Sequence, residues 1–199
     1  MYLFGASGHG KVLAEIAEEC GLKIRAVLDE NPEKTGLLDY SVHHEFPKKK
    51  IEIVIAVGNN FNRKKIVNRF TNFKYVKLIH PSASVSVRAS IGEGSVVMAG
   101  AIINSETRIG AHCIINSNSV IEHECKIGDF VHISPNAGLA GNVCVGEGTH
   151  IGIGASIIQG IKIGKWCNIG AGAVIIRDVP DGSVVVGNPG RIIKSQQSV

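Results

Sequence analysis

The sequence predicts a small α/β unit of Rossmann-like βαβ type followed by an all-β parallel β-helix. Three observations carry that reading. From Ile79 to Ile175 an aliphatic residue stands at every sixth position without a miss, through Val85, Ile91, Val97 and onward. A helix needs a period near 3.6 and a simple strand a period of 2, so a period of six marks the hexapeptide repeat, with one inward aliphatic per short strand. The fourth residue after each aliphatic is usually small, as at Ala83, Ala101, Thr107, Cys113, Ser119, Ala137 and Ala173, which suits close packing inside a narrow prism. Before residue 79 the grammar changes to a strand, a glycine-rich turn and a helix, Tyr2-Leu3-Phe4 running into Gly5-Ala6-Ser7-Gly8-His9-Gly10.

Taken in order, Tyr2–Phe4 reads as a buried strand. An amphipathic helix follows from about Lys11 to Cys20, with Val12, Ile16 and Ala17 facing in and Gly21 ending it. Lys23–Leu28 closes a βαβ unit. Ile51–Val57 is a third strand, Asn60–Phe70 a second helix and Tyr75–Ile79 a last strand, the alternation of a parallel sheet. The boundary is placed at His80-Pro81, giving domains 1–79, 80–178 and a closing segment 179–199.

Composition narrows the function classes. A chain of 199 residues with net charge +4 has no basic stripe for nucleic acid, and Lys48-Lys49-Lys50 reads as a solvated loop. Five cysteines form no C-x-x-C pair, and Cys113, Cys125 and Cys167 fall at the small inward position, so they read as core thiols in a reducing compartment. No secretory leader or membrane span is evident, and a cytoplasmic location is expected.

Several residues are candidates for chemistry. Gly5-x-x-Gly8-x-Gly10 resembles a phosphate-cradling turn at a helix N-terminus. Asp29-Glu30 end the next strand, where acidic side chains meet a ribose or base edge. Gly58-Asn59-Asn60 end the third strand on the same edge. Some 75 residues are too few for two dinucleotide-binding halves, so a mononucleotide such as a sugar nucleotide fits better than NAD. In the repeat, three hexads make one coil, so residues 18 apart stack. His123, two past Ile121, points outward and stacks on Gly141, pairing a general base with an oxyanion-binding amide. His132 and His150 also stack one coil apart, but two ligands without a third make a poor metal site, and no metal is expected.

The glycine loop, Gly58-Asn59-Asn60, Glu122-His123-Glu124 and the hexad run together resemble the bacterial sugar-nucleotide acetyltransferases. The match is nearest to the bacillosamine-pathway N-acetyltransferase of UDP-4-amino-sugars, with perosamine N-acetyltransferases and sialic-acid O-acetyltransferase-like proteins beside it. The resemblance implies a left-handed β-helix, a homotrimer and acetyl-CoA as co-substrate in the cleft between helices. It implies His123 as base, Glu124 as its carboxylate and Gly141 as the amide facing the thioester carbonyl. Gly8, His9, Gly10, Asp29, Glu30, Gly58, Asn59 and Asn116 would contact the nucleotide sugar. His132, Gly141, Ala140, Gly160 and Arg177 would contact acetyl-CoA.

One geometric tension follows. Neighbours on an extended strand point to opposite faces, so Glu124 reaches His123 only if the chain turns there, and Glu122 and Asp129 stay open as rival partners. His123 and His132 lie half a coil apart and do not readily share a cleft of one subunit; a trimer in which each cleft takes His123 from one chain and His132 from the next would resolve this. The expected reaction is direct acetylation of the C4 amine of a UDP-linked 4-amino-4,6-dideoxy sugar. A GDP-linked amino sugar, sialic-acid O-acetylation and a non-catalytic nucleotide-binding scaffold are the alternatives.

Overall fold

The computed structural model describes residues 1–195, so the last four residues of the expected closing segment lie outside the described residues. The N-terminal unit is a six-stranded sheet built from β1 (Tyr2–Phe4), β2 (Ala26–Leu28), β3 (Gly36–Leu37), β4 (Tyr40–His43), β5 (Glu52–Ile55) and β6 (Lys74–Tyr75), in the order β3-β4-β2-β1-β5-β6. All pairings are parallel except the β3–β4 hairpin, which the sequence reading missed.

Helix α1 spans Gly8–Glu19, starting inside the glycine loop rather than at Lys11. Its buried stripe is Gly10, Leu13, Ala14, Ile16 and Ala17. Val12, expected to face inward, is 38% exposed, because the stripe is centred on Leu13 and Ala17. Helix α2 spans Asn60–Arg69, and the Asn59 side chain caps it by accepting from the Asn62 N–H at 2.9 Å.

The expected strand Tyr75–Ile79 is two strands. The Val76 N–H bonds the Ile53 carbonyl, whereas the Leu78 N–H bonds the Ser95 carbonyl, so the chain changes partners between them. Leu78–Ile79 pairs with Val96–Val97 and begins the β-helix.

The β-helix has three faces of two-residue parallel strands in strict 18-residue register. The first runs through Val96–Val97, Ile114–Ile115, His132–Ile133, His150–Ile151 and Asn168–Ile169. The second contains Val120–Ile121 and Gly138–Leu139, and the third Lys126–Ile127 and Cys144–Val145. The second residue of each strand points inward, and from Val97 to Ile175 these residues form one continuous buried core. The small inward position also admits Val131, Val143, Ile161 and Val179, all buried.

Every sixth residue from Gly94 to Gly172 has φ between 53° and 74°. Each corner turns on one left-handed residue, which favours Gly and Asn. Glu106, His112, Glu124, Phe130 and Trp166 hold that conformation with larger side chains.

The outward residue of each strand decides what covers its face. On the first face Leu78, Val96 and Ile114 are buried with Leu13 and Ala17 of α1, which seats the N-terminal unit there. One coil later the outward residues become His132, His150 and Asn168, and the covered face opens into a groove. The second face presents Ile102, Val120 and Val174, and the third Arg108, Lys126 and Lys162.

Candidate functional site

His123 sits at the corner between the second and third faces, just after Val120–Ile121. Its Nδ1 lies 3.0 Å from Glu124 Oε2. The consecutive side chains meet because Glu124 has φ 61°, so the turn brings both onto one side. The rival carboxylates are engaged elsewhere. Glu122 accepts from the Asn104 amide at 2.9 Å, and Asp129 accepts from the Ala111 N–H at 2.7 Å. With Glu124 holding an Nδ1–H, Nε2 presents a lone pair to solvent.

That Nε2 lies against Gly141 of the next coil, where a Cβ would stand 2.6 Å from it. The Gly141 carbonyl accepts from the Gly160 N–H at 3.0 Å, while among the described residues nothing accepts from the Gly141 N–H. A lone pair and a free amide donor therefore share one corner. Ala140 precedes this corner, and its carbonyl accepts from the Cys125 thiol. Cys125 is fully buried and burial pushes its pKa up, which makes it a core residue and not a nucleophile.

The first-face groove has a volume of about 830 Å³ and lies between α2 and the β-helix. Gly58, Asn59, Phe61 and Lys64 line one wall, and His132, His150 and Trp166 line the other. Asn116 and His132, assigned to different ligands from sequence, are brought together. The Ser117 N–H donates to Asn116 Oδ1 at 2.8 Å, which leaves Asn116 Nδ2 as the donor to His132 Nε2 at 3.1 Å. This network assigns the His132 proton to Nδ1. His150 stacks on His132 at 4.8 Å between centroids, with its Nε2 2.8 Å from Ser134 Oγ. Burial first, then the charges of His150 and Arg63, lower the His132 pKa to about 3, so the ring is neutral at physiological pH.

Two residues of α2 join the units. Asn60 Nδ2 donates to the Gly148 and Thr149 carbonyls, and Arg63 donates to the His112 and Phe130 carbonyls. His112 is packed between Tyr75 and Phe130 with a buried Nδ1 that has no partner, and burial followed by Arg63 lowers its pKa to about 4.

In the glycine loop, Gly5 (φ 116°) and Gly10 are required by packing: a Cβ on Gly5 would stand 2.7 Å from the Ala56 carbonyl oxygen, and one on Gly10 would meet the Gly5 carbonyl. A Cβ on Gly8 would meet open space. His9 has a buried Nε2 without a partner, and burial, then Arg63, lowers its pKa to about 4. Asp29 braces the loop, accepting from the Ala6 N–H at 2.7 Å and the Asn31 N–H at 2.9 Å. Glu30 is exposed and pairs with Arg69.

Within one chain these residues form two separate groups: Gly58, Asn59, Asn116 and His132 at the groove, and His123, Glu124, Ala140, Gly141 and Gly160 at the opposite corner. Arg177 is exposed, near the top of the β-helix. Sequence reading missed Arg63, Phe61, Lys64 and Trp166. One signal was available, the switch of outward first-face residues from Leu78, Val96 and Ile114 to His132, His150 and Asn168.

Comparison with known proteins places this architecture. Residues 1–70 match the PglD N-terminal domain model, and residues 88–123 match the bacterial transferase hexapeptide (six repeats) model. No curated protein sequence matches the chain. Among solved structures, the acetyltransferase domain of PglB from Neisseria gonorrhoeae FA1090 is 38% identical over 96% of this chain and 98% of that one, with a TM-score of 0.90. It is also known in complex with acetyl coenzyme A. A mutant of perosamine N-acetyltransferase from Caulobacter crescentus, in complex with CoA and GDP-perosamine, is 36% identical over 97% and 96%, with a TM-score of 0.93. WeeI from Acinetobacter baumannii AYE is 30% identical over 96% and 98%, with a TM-score of 0.90.

Proposed function

We propose a function from one premise: the chain belongs to the left-handed β-helix family of sugar-nucleotide N-acetyltransferases. It is an acetyl-CoA-dependent acyltransferase. In our reading its acceptor is the C4 amine of a UDP-linked 4-amino-4,6-dideoxy sugar and its base is His123. The observation that carries the mechanism is the His123–Glu124 pair beside the free Gly141 N–H.

The amine attacks the thioester carbonyl of bound acetyl-CoA while His123 Nε2 takes its proton. The Gly141 N–H receives the developing oxyanion, and the C–S bond then breaks to release CoA. Glu124 keeps the proton on Nδ1 and stabilises the imidazolium as it forms. Holding two substrates in line supplies much of the acceleration. His132, neutral and tied to Asn116, serves binding and not proton transfer.

His123 and the groove occupy different sides of one chain, so we further propose a homotrimer in which each cleft joins one chain's groove to the next chain's His123 corner. The outward Ile102, Val120 and Val174 of the second face, with Ile158 and Ile176 exposed beside it, support that packing. Ala140, Gly160 and Arg177 would then line the acetyl-CoA side, and Gly8, His9, Gly10, Asp29, Glu30, Asn59 and Asn116 the sugar-nucleotide side. Among the described residues no helix is long and apolar enough to cross a membrane. The five free cysteines suit a cytoplasmic location.

The test is thiol release from acetyl-CoA with UDP-4-amino-4,6-dideoxy-N-acetylglucosamine, in parallel with a GDP-linked 4-amino sugar and sialic acid. Turnover of the UDP sugar supports the reading. Preference for the GDP sugar overturns it in favour of the substrate class bound by the Caulobacter relative, and acetyl-CoA binding without any turnover favours a scaffold.

A further inference from the structure

The groove wall repeats one arrangement on successive coils. At the lower coil Asn116 Nδ2 donates to His132 Nε2 at 3.1 Å, and at the upper coil Ser134 Oγ lies 2.8 Å from His150 Nε2. In each pair one residue follows an inward isoleucine and the other precedes the inward isoleucine one coil later, Ile115 and Ile133 for the first pair, Ile133 and Ile151 for the second. The two rings stack at 4.8 Å between centroids, and Asn168 follows in register above His150. His132, His150 and Asn168 therefore line the groove as a ladder of polar edges at the β-helix pitch of about 4.8 Å. Among the described residues His150 Nδ1 has no hydrogen-bond partner. Burial, then the charge of Arg63, lowers the His150 pKa, so the ring offers a neutral edge.

Beyond the ladder the wall turns aromatic. Trp166, the single tryptophan of the chain, lies over Gly148, where a Cβ would stand 2.4 Å from its ring, and meets Phe61 edge-on at 6.1 Å between centroids. It holds φ 53°, a conformation that bulky side chains rarely adopt. Such strain persists where the surroundings or a ligand require the side chain.

An extended acetyl-pantetheine arm has the complementary spacing. By ordinary bond lengths its thioester carbonyl and its two amides follow one another roughly 5–6 Å apart, close to the pitch of the ladder. A branched apolar pantoyl segment comes next, which suits the Trp166–Phe61 end. A nucleotide sugar has no such run of neutral amides. We propose that His132, His150 and Asn168 form a three-rung ladder for the arm of acetyl-CoA, with His132 beside the acetyl group, His150 at the first amide, Asn168 at the second and Trp166 against the pantoyl segment. Ser134 is a positioning residue that fixes the His150 ring. This direction leaves the acetyl group at the end of the groove where Asn116 marks the sugar-nucleotide side. The inference rests on acetyl-CoA as co-substrate, as in the function proposed above, and not on which sugar is acetylated.

The experiment uses the full chain and three acetyl donors of decreasing length: acetyl-CoA, S-acetyl-pantetheine, and S-acetyl-N-acetylcysteamine, which has one amide only. His150→Phe keeps a stacking ring without its hydrogen bonds, and Asn168→Leu keeps the size without the amide. With His150→Phe, kcat/KM should fall about 5- to 10-fold for all three donors, the size of one hydrogen bond. Asn168→Leu should cost the two longer donors that factor and the shortest nothing, with the KM for the sugar nucleotide at its native value in both variants. If His150→Phe fails to fold, Ser134→Ala should give its pattern at smaller size. Fluorescence of Trp166 should change when CoA is titrated into the protein without any sugar. An Asn168→Leu loss that is equal for all donors, or absent, overturns the ladder. So does calorimetric binding of CoA with unchanged Trp166 fluorescence, or a fluorescence change caused by UDP or GDP and not by CoA. If no sugar is turned over, the substrate reading fails, and the CoA titrations of native and Asn168→Leu protein still decide the ladder.

Discussion

Gly141 lies directly against the imidazole of His123, with space for a hydrogen and none for a methyl group: a Cβ at 141 would stand 2.6 Å from Nε2. The residues are one full coil apart, so the β-helix pitch brings the base beside the amide. Gly141→Ala leaves the backbone in a conformation open to alanine and forces the ring aside. We expect kcat to fall by about 10²-fold with little change in melting temperature, the size of losing one oxyanion donor or misplacing a reacting group. Unchanged turnover would show that the His123–Gly141 approach has no part in the chemistry.

Glu124 combines a hydrogen bond from His123 with a costly backbone conformation. At φ 61° a glutamate is disfavoured relative to asparagine or glycine by about 1 kcal/mol. Glu124→Asn should therefore raise stability by up to about that amount while lowering activity about tenfold, through loss of the carboxylate that orients His123. Glu106, one coil earlier with φ 62°, is the control. Glu106→Asn should stabilise similarly and leave turnover alone. Urea denaturation alongside initial rates separates the two effects, and equal rates for both variants would remove Glu124 from the mechanism. His123→Ala is expected to lose about 10²–10⁴-fold.

A cleft shared between chains predicts complementation. His123→Ala and His132→Ala chains, each nearly inactive alone, should regain about one quarter of native activity when unfolded and refolded as a 1:1 mixture, because that share of clefts draws both intact residues from different chains. Mixed assemblies as inactive as the parents would exclude the shared cleft.

The buried histidines set the acid limb of stability. His9 and His112 have pKa values lowered to about 4, and His132 to about 3, with burial the leading cause in each. Below the unfolded value near 6.5, the unfolded chain binds protons that these folded rings refuse. Their contribution is complete above pH 6.5, falls as pH drops from 6.5 to about 4, and costs up to about 1.4 kcal/mol per pH unit for each ring. His112→Phe keeps the ring between Tyr75 and Phe130 and removes the unpartnered Nδ1. It should flatten that slope by about one proton's worth. Denaturant unfolding from pH 7 to 4.5 gives the slopes, and identical slopes would show that His112 is not among the groups responsible.

Much of the fold is legible in the sequence for a simple reason. A β-helix core is built from local repeats, so the Ile79-to-Ile175 hexads state both the strands and their 18-residue register. The stacking of His123 on Gly141 follows from that arithmetic, and so does the burial of Cys113, Cys125 and Cys167. Tertiary structure alone decided the rest. The carboxylate partner of His123 depended on a left-handed φ at Glu124, which an extended-strand rule excludes. The split of the strand expected over Tyr75–Ile79 depended on which sheet each amide could reach. The role of Arg63 depended on five carbonyl and amide oxygens drawn from segments 3 to 67 residues away, and no periodicity records such contacts. Repetition fixes what a residue shares with its neighbours one coil away; docking of the N-terminal unit, a non-repeating contact, determined which face became the groove.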